Sequence, residues 1–405
     1  MQLYVRAKKD KDALEHVFRT QYGYVPEIKT LGGIRHGLEE AIEELPREDL
    51  TLVLLGREDR KWVKRDLSNA WRKVCFFDKA KIRNGRKHQL VNFLENCKTR
   101  FIGDVDYSDG GYSIGGRSFL WDEIEPGDDV LFLLGDEFKK NVEKLAGHEI
   151  PEALILHKRA YDVFYVGRTA IGILRREDDR WEDWEESAER VSWEKTVELS
   201  KAGMEEKVEA AINKIRSVLK ERDEIVVPWS GGKDSTVVLA LLKESKLEFT
   251  AIHVDTGLEF NETEEYVERL AKELKINLEI VRAPVGRKFR VLGEEYLQGR
   301  ECTRDKVSTL YKYVRENFKN PILVNGDRIT ESKARSFRPD MYRDEFDVFS
   351  PIKYWSNLDE QIYLYLRGIP NNPLYERGFY RVGCKTCPFM DLFEKNIAGE
   401  RNGDT

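Results

Sequence analysis

Ser230-Gly231-Gly232-Lys233-Asp234-Ser235 is the densest run of chemistry-bearing residues in this chain. The apolar segment Ile225-Val226-Val227 leads into it, and Thr236-Val237-Val238-Leu239-Ala240-Leu241-Leu242 leads out. That order predicts a strand, a tight loop and a helix. Adjacent glycines let backbone N–H groups converge, and the helix N-terminus adds partial positive charge, so the loop is suited to cradle an anion. The spacing does not fit the G-x-x-x-x-G-K-[ST] phosphate loop. The plain alternative is a glycine turn before an ordinary helix. Further along, Asp255-Thr256-Gly257 and Asn325-Gly326 each close a short apolar run, and Arg328 and Arg335 follow the second. Cys302, Cys384 and Cys387 supply thiols. Guanidinium groups match oxyanions in bidentate fashion and thiolates bind soft metals, so this set is equipped for oxyanion recognition and for sulfur–metal chemistry.

The elements that must position these residues show in the hydrophobic pattern. Phe249 to Val254 reads as a second buried strand and Ile322-Leu323-Val324 as another, with helical periodicity from Thr263 to Leu274 between them. Alternating strands and helices predict a doubly wound α/β domain on a parallel sheet, where ligands sit beyond the carboxyl ends of the strands. Ser230, Asp255 and Asn325 then face one crevice. His253, on the apolar strand ahead of Asp255, reads as a core residue rather than a base.

These segments resemble a known family. Ser230–Ser235 resembles the SGGxDS pyrophosphate loop (PP-loop) of the adenine nucleotide α-hydrolase superfamily. Val254-Asp255-Thr256-Gly257-Leu258-Glu259-Phe260-Asn261-Glu262-Thr263 is similar to the VDTG-x-x-F-x-E-T segment of the phosphoadenosine phosphosulfate (PAPS) reductase family. Asn325 to Arg335 resembles its G-x-R-x-x-E-S-x-x-R-A region. Ser350-Pro351-Ile352 through Trp355 and Glu360, Ile369 to Tyr375, and Gly383-Cys384-Lys385-Thr386-Cys387 resemble its P-[IL]-x-x-W, P-x-N-P-L-Y and G-C-x-x-C segments. The resemblance implies that Ser230, Gly231, Gly232, Lys233, Asp234 and Ser235 hold the phosphates of ATP, or of APS or PAPS, with Mg²⁺. It places Val254, Asp255, Thr256 and Gly257 beside the adenosine, Asn325 and Gly326 in the same crevice, and Arg328 and Arg335 on phosphate or sulfate. Lys233, Asp234, Arg328 and Arg335 are the catalytic candidates it gives. Asp234 is a candidate to orient magnesium, though an acid in the first turn of a helix is favourable without a ligand as well.

Family members with a four-iron cluster carry an adjacent cysteine pair and a later C-x-x-C. Here Glu301-Cys302 stands where the pair falls, followed by Cys384 and Cys387. The resemblance implies a [4Fe-4S] cluster on three thiolates, with one iron open to water, Glu301 or sulfide, as in PP-loop enzymes that thiolate transfer RNA. Zinc (Zn²⁺) with Glu301 as fourth ligand, and a metal-free trio, stay open beside it. Sulfonucleotide reductases attack with a cysteine in a C-terminal E-C-G motif. No cysteine follows Cys387 in the sequence, so that reaction in its usual form is not the first expectation.

The catalytic domain is expected over residues 207–405, and the first 200 residues lie outside the resemblance. Residues 1–98 read as a basic α/β unit. Between positions 51 and 100 stand 14 Lys and Arg against 5 Asp and Glu, interleaved with Trp62, Trp71, Phe76 and Phe77. That pattern suits tracking of a nucleic-acid backbone with base stacking, and equally a solvated charged face over buried aromatics. Residues 99–176 read as a β-rich domain, a small barrel similar to the RNA-binding PUA modules or a spacer. Residues 177–206 read as a charged linker and helix. No long apolar run or signal pattern appears, which points to a cytoplasmic protein without membrane contact. Abundant Lys and Glu with scarce Gln lean towards a thermophile. An odd set of five cysteines favours metal or redox roles over a disulfide framework, with Cys75 and Cys97 read as core. The function expected is an ATP-using PP-loop enzyme that adenylates an acceptor, such as transfer RNA or another nucleic acid, and handles sulfur at the cysteines. The alternatives are an APS or PAPS reductase releasing sulfite and a non-catalytic, nucleotide-sensing RNA-binding protein.

Overall fold

Side-chain alternation divides the strands of the C-terminal domain between two apolar faces. In the computed structural model, which describes residues 1–399, six strands line up as Asn277–Arg282, Thr250–Asp255, Ile225–Pro228, Ile322–Val324, Asp347–Phe349 and Met341–Arg343. The first five run parallel and the last antiparallel. Ile225, Val227, Ala251, Ile322, Val324 and Phe349 share a core with helices Trp193–Leu219, Lys233–Glu244, Asn261–Glu273 and Asn357–Leu366. Val226, Ile252, Val254, Leu323 and Val348 share another with helices Val285–Leu292, Glu294–Gln298 and Glu301–Asn317. Strands buried on both faces and flanked by helices make the doubly wound sheet that the sequence predicts.

The N-terminal unit is a second parallel sheet, ordered Ile28–Thr30, Gln2–Val5, Thr51–Leu55 and Arg72–Phe76. Its basic half folds partly inward. Trp71 and Phe77 are core residues, and Arg72, Lys73 and Lys98 are buried with them. Arg60, Lys61, Arg65, Lys79, Arg86 and Lys87 stay exposed. The basic–aromatic stripe is therefore split between core and solvent, and two of its four aromatics are not presented for stacking.

Five antiparallel strands follow in the order Arg180–Asp183, Thr169–Arg175, Asp162–Val166, Leu154–His157 and Asp129–Phe132. The outer two do not pair with each other, so among the described residues this is an open meander and not the closed barrel expected. The charged stretch read as a linker supplies the edge strand Arg180–Asp183. Trp181 is buried there against Phe164 with ring centroids 5.0 Å apart, and an edge position leaves its charged neighbours in solvent.

Helix Trp193–Leu219 ties the units together. Ser192 caps it, accepting from Lys195 N at 3.1 Å. The helix packs against the hairpin strand Gly111–Ile114 and against Asn357–Leu366. Its buried Lys207 reaches both carboxylate oxygens of Asp359 at 2.9 Å and lies 3.9 Å from Asp104. One apolar core runs through all three units, from Leu3 to Ile369. No helix among the described residues is long and apolar enough to cross a membrane.

Candidate active site

The Ser230–Ser235 loop is shaped by two close approaches. Gly231 has φ +77°, and a Cβ there would lie 2.8 Å from Val267 Cγ2, so glycine alone suits the turn. A Cβ on Gly326 would lie 2.7 Å from the Asp234 carbonyl carbon. The Asn325-Gly326 loop thus rests directly on the first turn of helix Lys233–Glu244. Asn372 Nδ2 donates to Gly231 O at 3.1 Å, and Lys233 N donates to the Tyr375 hydroxyl at 3.2 Å. The P-x-N-P-L-Y segment is in this way a brace for the loop. Ser230 is exposed, with Oγ 3.3 Å from Ser235 Oγ and from Gly232 N. Asn325 Oδ1 accepts from Ser350 Oγ at 2.6 Å.

The charged candidates beneath the loop satisfy one another. Arg328, only 1% exposed, donates from Nε to Asp234 at 2.6 Å and from Nη1 to Asp129 at 2.7 Å, with Glu360 3.2 Å away. Lys233 is also buried, its ammonium 3.3 Å from Asp234 and 3.8 Å from Glu360. Burial opposes the Asp234 charge, but Lys233 and Arg328 overcome it and hold the carboxyl well below its usual range. Burial pushes the Glu360 carboxyl well up. Arg328 is therefore an internal ion-pair partner rather than an open oxyanion clamp, because Asp234 and Asp129 already claim it. Arg335 is likewise engaged, with Glu331 and with Asp327 at 3.2 Å. Asp234 faces cations already in the protein.

On the other side of the crevice, Gly257 has φ +70° and donates to Asp255 Oδ1 at 2.7 Å. Thr256 gives both its N–H and its hydroxyl to Glu259 Oε2, at 3.0 and 2.7 Å. Val254 is buried beneath this turn. Glu259 and Cys384 form an isolated antiparallel bridge, and Lys385 N donates to Leu258 O at 2.9 Å. Leu258 and Glu259, which directly follow the Asp255–Gly257 turn, are thus paired main chain to main chain with the cysteine loop.

Cys302, Cys384 and Cys387 all line one cavity of 1640 Å³ that also takes in Ser230, Thr256 and Glu259. Cys387 is drawn down to about 6, first by its hydrogen bond with Cys384 and then by the Phe389 and Met390 backbone, while Cys384 is pushed up by the same bond. Cys302 sits in the first turn of helix Glu301–Asn317. Glu301 is exposed and pairs with Arg304, and it is not among the residues that line the cavity. Among the described residues, the one group of three candidate ligands within 4.8 Å of one another is Asp255, Glu259 and Glu264. The thiols are therefore spread wider than the shell of a single zinc ion, whose sulfurs stand about 3.8 Å apart at tetrahedral angles. One thiol comes from the start of a helix and two from a single loop, and all three border the same cavity.

His253 is buried, its Nδ1 2.9 Å from Trp229 O, as a core residue should be. Sequence reasoning left out Asp129, whose partner Arg328 stands 199 positions away, and the cavity wall given by His157 and Tyr380. No local pattern marks either. Glu360 and Tyr375 lay inside recognised segments, and their place beside Lys233 was available as a signal.

A glycine-rich loop at the carboxyl end of a central parallel strand, braced by neighbouring strand ends, defines an α/β nucleotide-binding domain of the PP-loop class. Residues 224–390 match the phosphoadenosine phosphosulfate reductase domain, and the rest of the chain lies outside that match. An uncharacterized protein of Methanocaldococcus jannaschii is 35% identical over 185 residues, 44% of this chain and 38% of that protein. This chain thus spans well under half the length of that relative. Phosphoadenosine 5'-phosphosulfate reductase of Vibrio campbellii is 28% identical over 195 residues, 46% of this chain and 73% of the relative. A crystal structure of phosphoadenylyl-sulfate reductase from Candida auris, in complex with phosphate, has 17% identity and a TM-score of 0.37, covering 46% of this chain and 96% of that one.

Proposed function

We propose that this protein is an ATP-using PP-loop enzyme that adenylates a carbonyl oxygen on RNA and replaces that oxygen with sulfur. The observation carrying this reading is the single 1640 Å³ cavity that joins exposed Ser230 to three thiols and is walled by all three units. A small-molecule site occupies about 300–1,000 Å³, so a nucleotide leaves room for a bulky acceptor. The phosphate loop retains pyrophosphate through its backbone N–H groups and Ser230, with Mg²⁺ arriving on the nucleotide. Catalysis then rests on positioning and on fixed dipoles. Cys302, Cys384 and Cys387 would hold an iron–sulfur cluster, which supplies a Lewis-acidic iron for the sulfur donor. Glu259, two residues beyond the Asp255–Gly257 turn and bridged to Cys384, keeps nucleotide and sulfur chemistry in register.

Anaerobically purified protein is expected to be brown, to lose that colour in Cys302→Ser, and to form AMP and pyrophosphate from ATP when given sulfide and unfractionated transfer RNA. Colourless protein that leaves ATP intact under these conditions contradicts the proposal. Sulfonucleotide reduction is the second reading, favoured by the match to the Vibrio reductase. It requires sulfite from labelled PAPS with a thiol reductant and no pyrophosphate from ATP.

A further inference from the structure

The middle unit brings an Asp–His pair to the same cavity, outside every segment that the family resemblance covers. His157 closes the strand Leu154–His157, and Asp162 opens the next, Asp162–Val166. The hairpin sets His157 Nδ1 2.5 Å from Asp162 Oδ1. Asp162 is 2% exposed and takes Arg176 Nη1 at 3.2 Å on its other oxygen. Burial opposes the Asp162 charge, but His157 and Arg176 outweigh it and hold the carboxyl low. An ionised Asp162 can only accept, so Nδ1 donates its hydrogen to it, and Nε2 is the ring nitrogen left to exchange a proton with a ligand.

The ring is also held from its face. It stacks on Tyr380 with centroids 3.7 Å apart and planes at 22°. Tyr380 donates to Asp129 at 2.9 Å, and the Lys233 ammonium lies 5.6 Å over the Tyr380 ring. One aromatic ring therefore separates the imidazole from the base of the phosphate loop, and Cys384 follows four positions after Tyr380. Nε2 makes no hydrogen bond to the described residues, and His157, Ser230, Thr256 and Cys384 line the cavity together. An imidazole locked in one tautomer, oriented by a buried carboxylate and open on one nitrogen, is the arrangement of a general base.

We propose that His157, oriented by Asp162, is a catalytic residue: the general base that deprotonates the acceptor as it is adenylated. The assignment rests on the reading given under Proposed function. The carbonyl oxygen of an H–N–C=O unit attacks the α-phosphorus of ATP, the bond to the α–β bridging oxygen breaks, and pyrophosphate leaves with its electron pair. The ring N–H proton passes to His157 Nε2 in that step, leaving a C=N bond beside the adenylated oxygen. Hydrosulfide then attacks this carbon, the carbon–oxygen bond breaks, and AMP leaves with its electron pair. The S–H proton moves to the ring nitrogen, giving H–N–C=S, and the imidazolium releases one proton to solvent. Sulfur keeps its oxidation state, so no oxidant or reductant takes part.

The test uses the full chain with ATP, sodium sulfide and unfractionated transfer RNA, following AMP and pyrophosphate. His157→Gln is expected to lower kcat about 100-fold or more, the range general-base catalysis supplies, with KM and Kd for ATP unchanged. His157→Gly is expected to recover activity with added imidazole, and Asp162→Asn to fall between wild type and His157→Gln. In wild-type protein, diethyl pyrocarbonate should modify His157 and bound RNA should protect it, a readout that needs no variant to fold. A His157→Gln enzyme within about threefold of an active wild type, or pyrocarbonate modification of His157 that RNA leaves unchanged, overturns the assignment alone. Wild type that forms no AMP and pyrophosphate overturns the underlying reading, and this assignment falls with it.

Discussion

Glu360 is held far from its preference in water. It is fully buried, and neither of its carboxylate oxygens finds a hydrogen-bond donor, although Arg328 and Lys233 stand at 3.2 and 3.8 Å. Burial, with Asp234 and Asp129 nearby, outweighs those two cations and raises its proton affinity well above the ordinary value of 4.5. The folded protein then binds a proton that the unfolded chain has released. Its contribution to stability is complete below about 4.5 and is lost as pH climbs towards the folded-state value. Glu360→Gln keeps the shape and removes the titration. Denaturant midpoints measured across that range should fall less steeply for the variant than for wild type, and equal slopes would show that Glu360 is ionised in the fold. The same cluster explains what was legible at this scale. Ser230 to Ser235 announce themselves because loop and helix are consecutive. Arg328 looked like an oxyanion ligand because its partner Asp129 is remote in sequence, and no pattern around position 328 reveals that its charge is already matched.

Elements were legible where periodicity is local and obscure where burial depends on a distant neighbour. The strand Ile225–Pro228 and helix Lys233–Glu244 follow from an apolar run and a glycine turn. The edge strand Arg180–Asp183 hid within charged residues, since one buried Trp181 is all that faces the core. The long helix Trp193–Leu219 read as a connector, yet Lys207 nails it to Asn357–Leu366 through Asp359, and Asp359 also closes that helix's cap by accepting from Ser356 N at 2.8 Å. Removing one partner of a buried pair costs about 3–5 kcal/mol. Lys207→Met should therefore destabilise by that order, and so should Asp359→Asn, which preserves the cap acceptor but not the charge. Together they should cost less than the sum, with a coupling of about 0.5–3 kcal/mol in urea melts. Strict additivity would mean that the helices are joined by apolar packing alone.

At the scale of the whole molecule, the family resemblance covered roughly the C-terminal half, and the assembly around it could not be read. Which sheet packs on which is decided by contacts between residues a hundred or more positions apart. Those contacts bind the units into one cooperative body. The apolar core from Leu3 to Ile369 crosses all three without a break. The middle unit's Asp129, which accepts from Arg328, Thr330, Tyr380 and the Asn357 backbone, is a load shared with the catalytic domain. Pulling the antiparallel meander away would leave Arg328 buried with one ion-pair partner fewer, at the cost attached to an uncompensated buried charge. The meander therefore has no route to unfold first. Calorimetry should record a single transition with equal calorimetric and van't Hoff enthalpies, and Asp129→Asn should lower that whole transition rather than split it. An early, separate melting of the middle unit, seen as loss of β signal while nucleotide binding persists, would show that the cavity is walled by a detachable domain and that the buried Arg328–Asp129 pair does not couple the two.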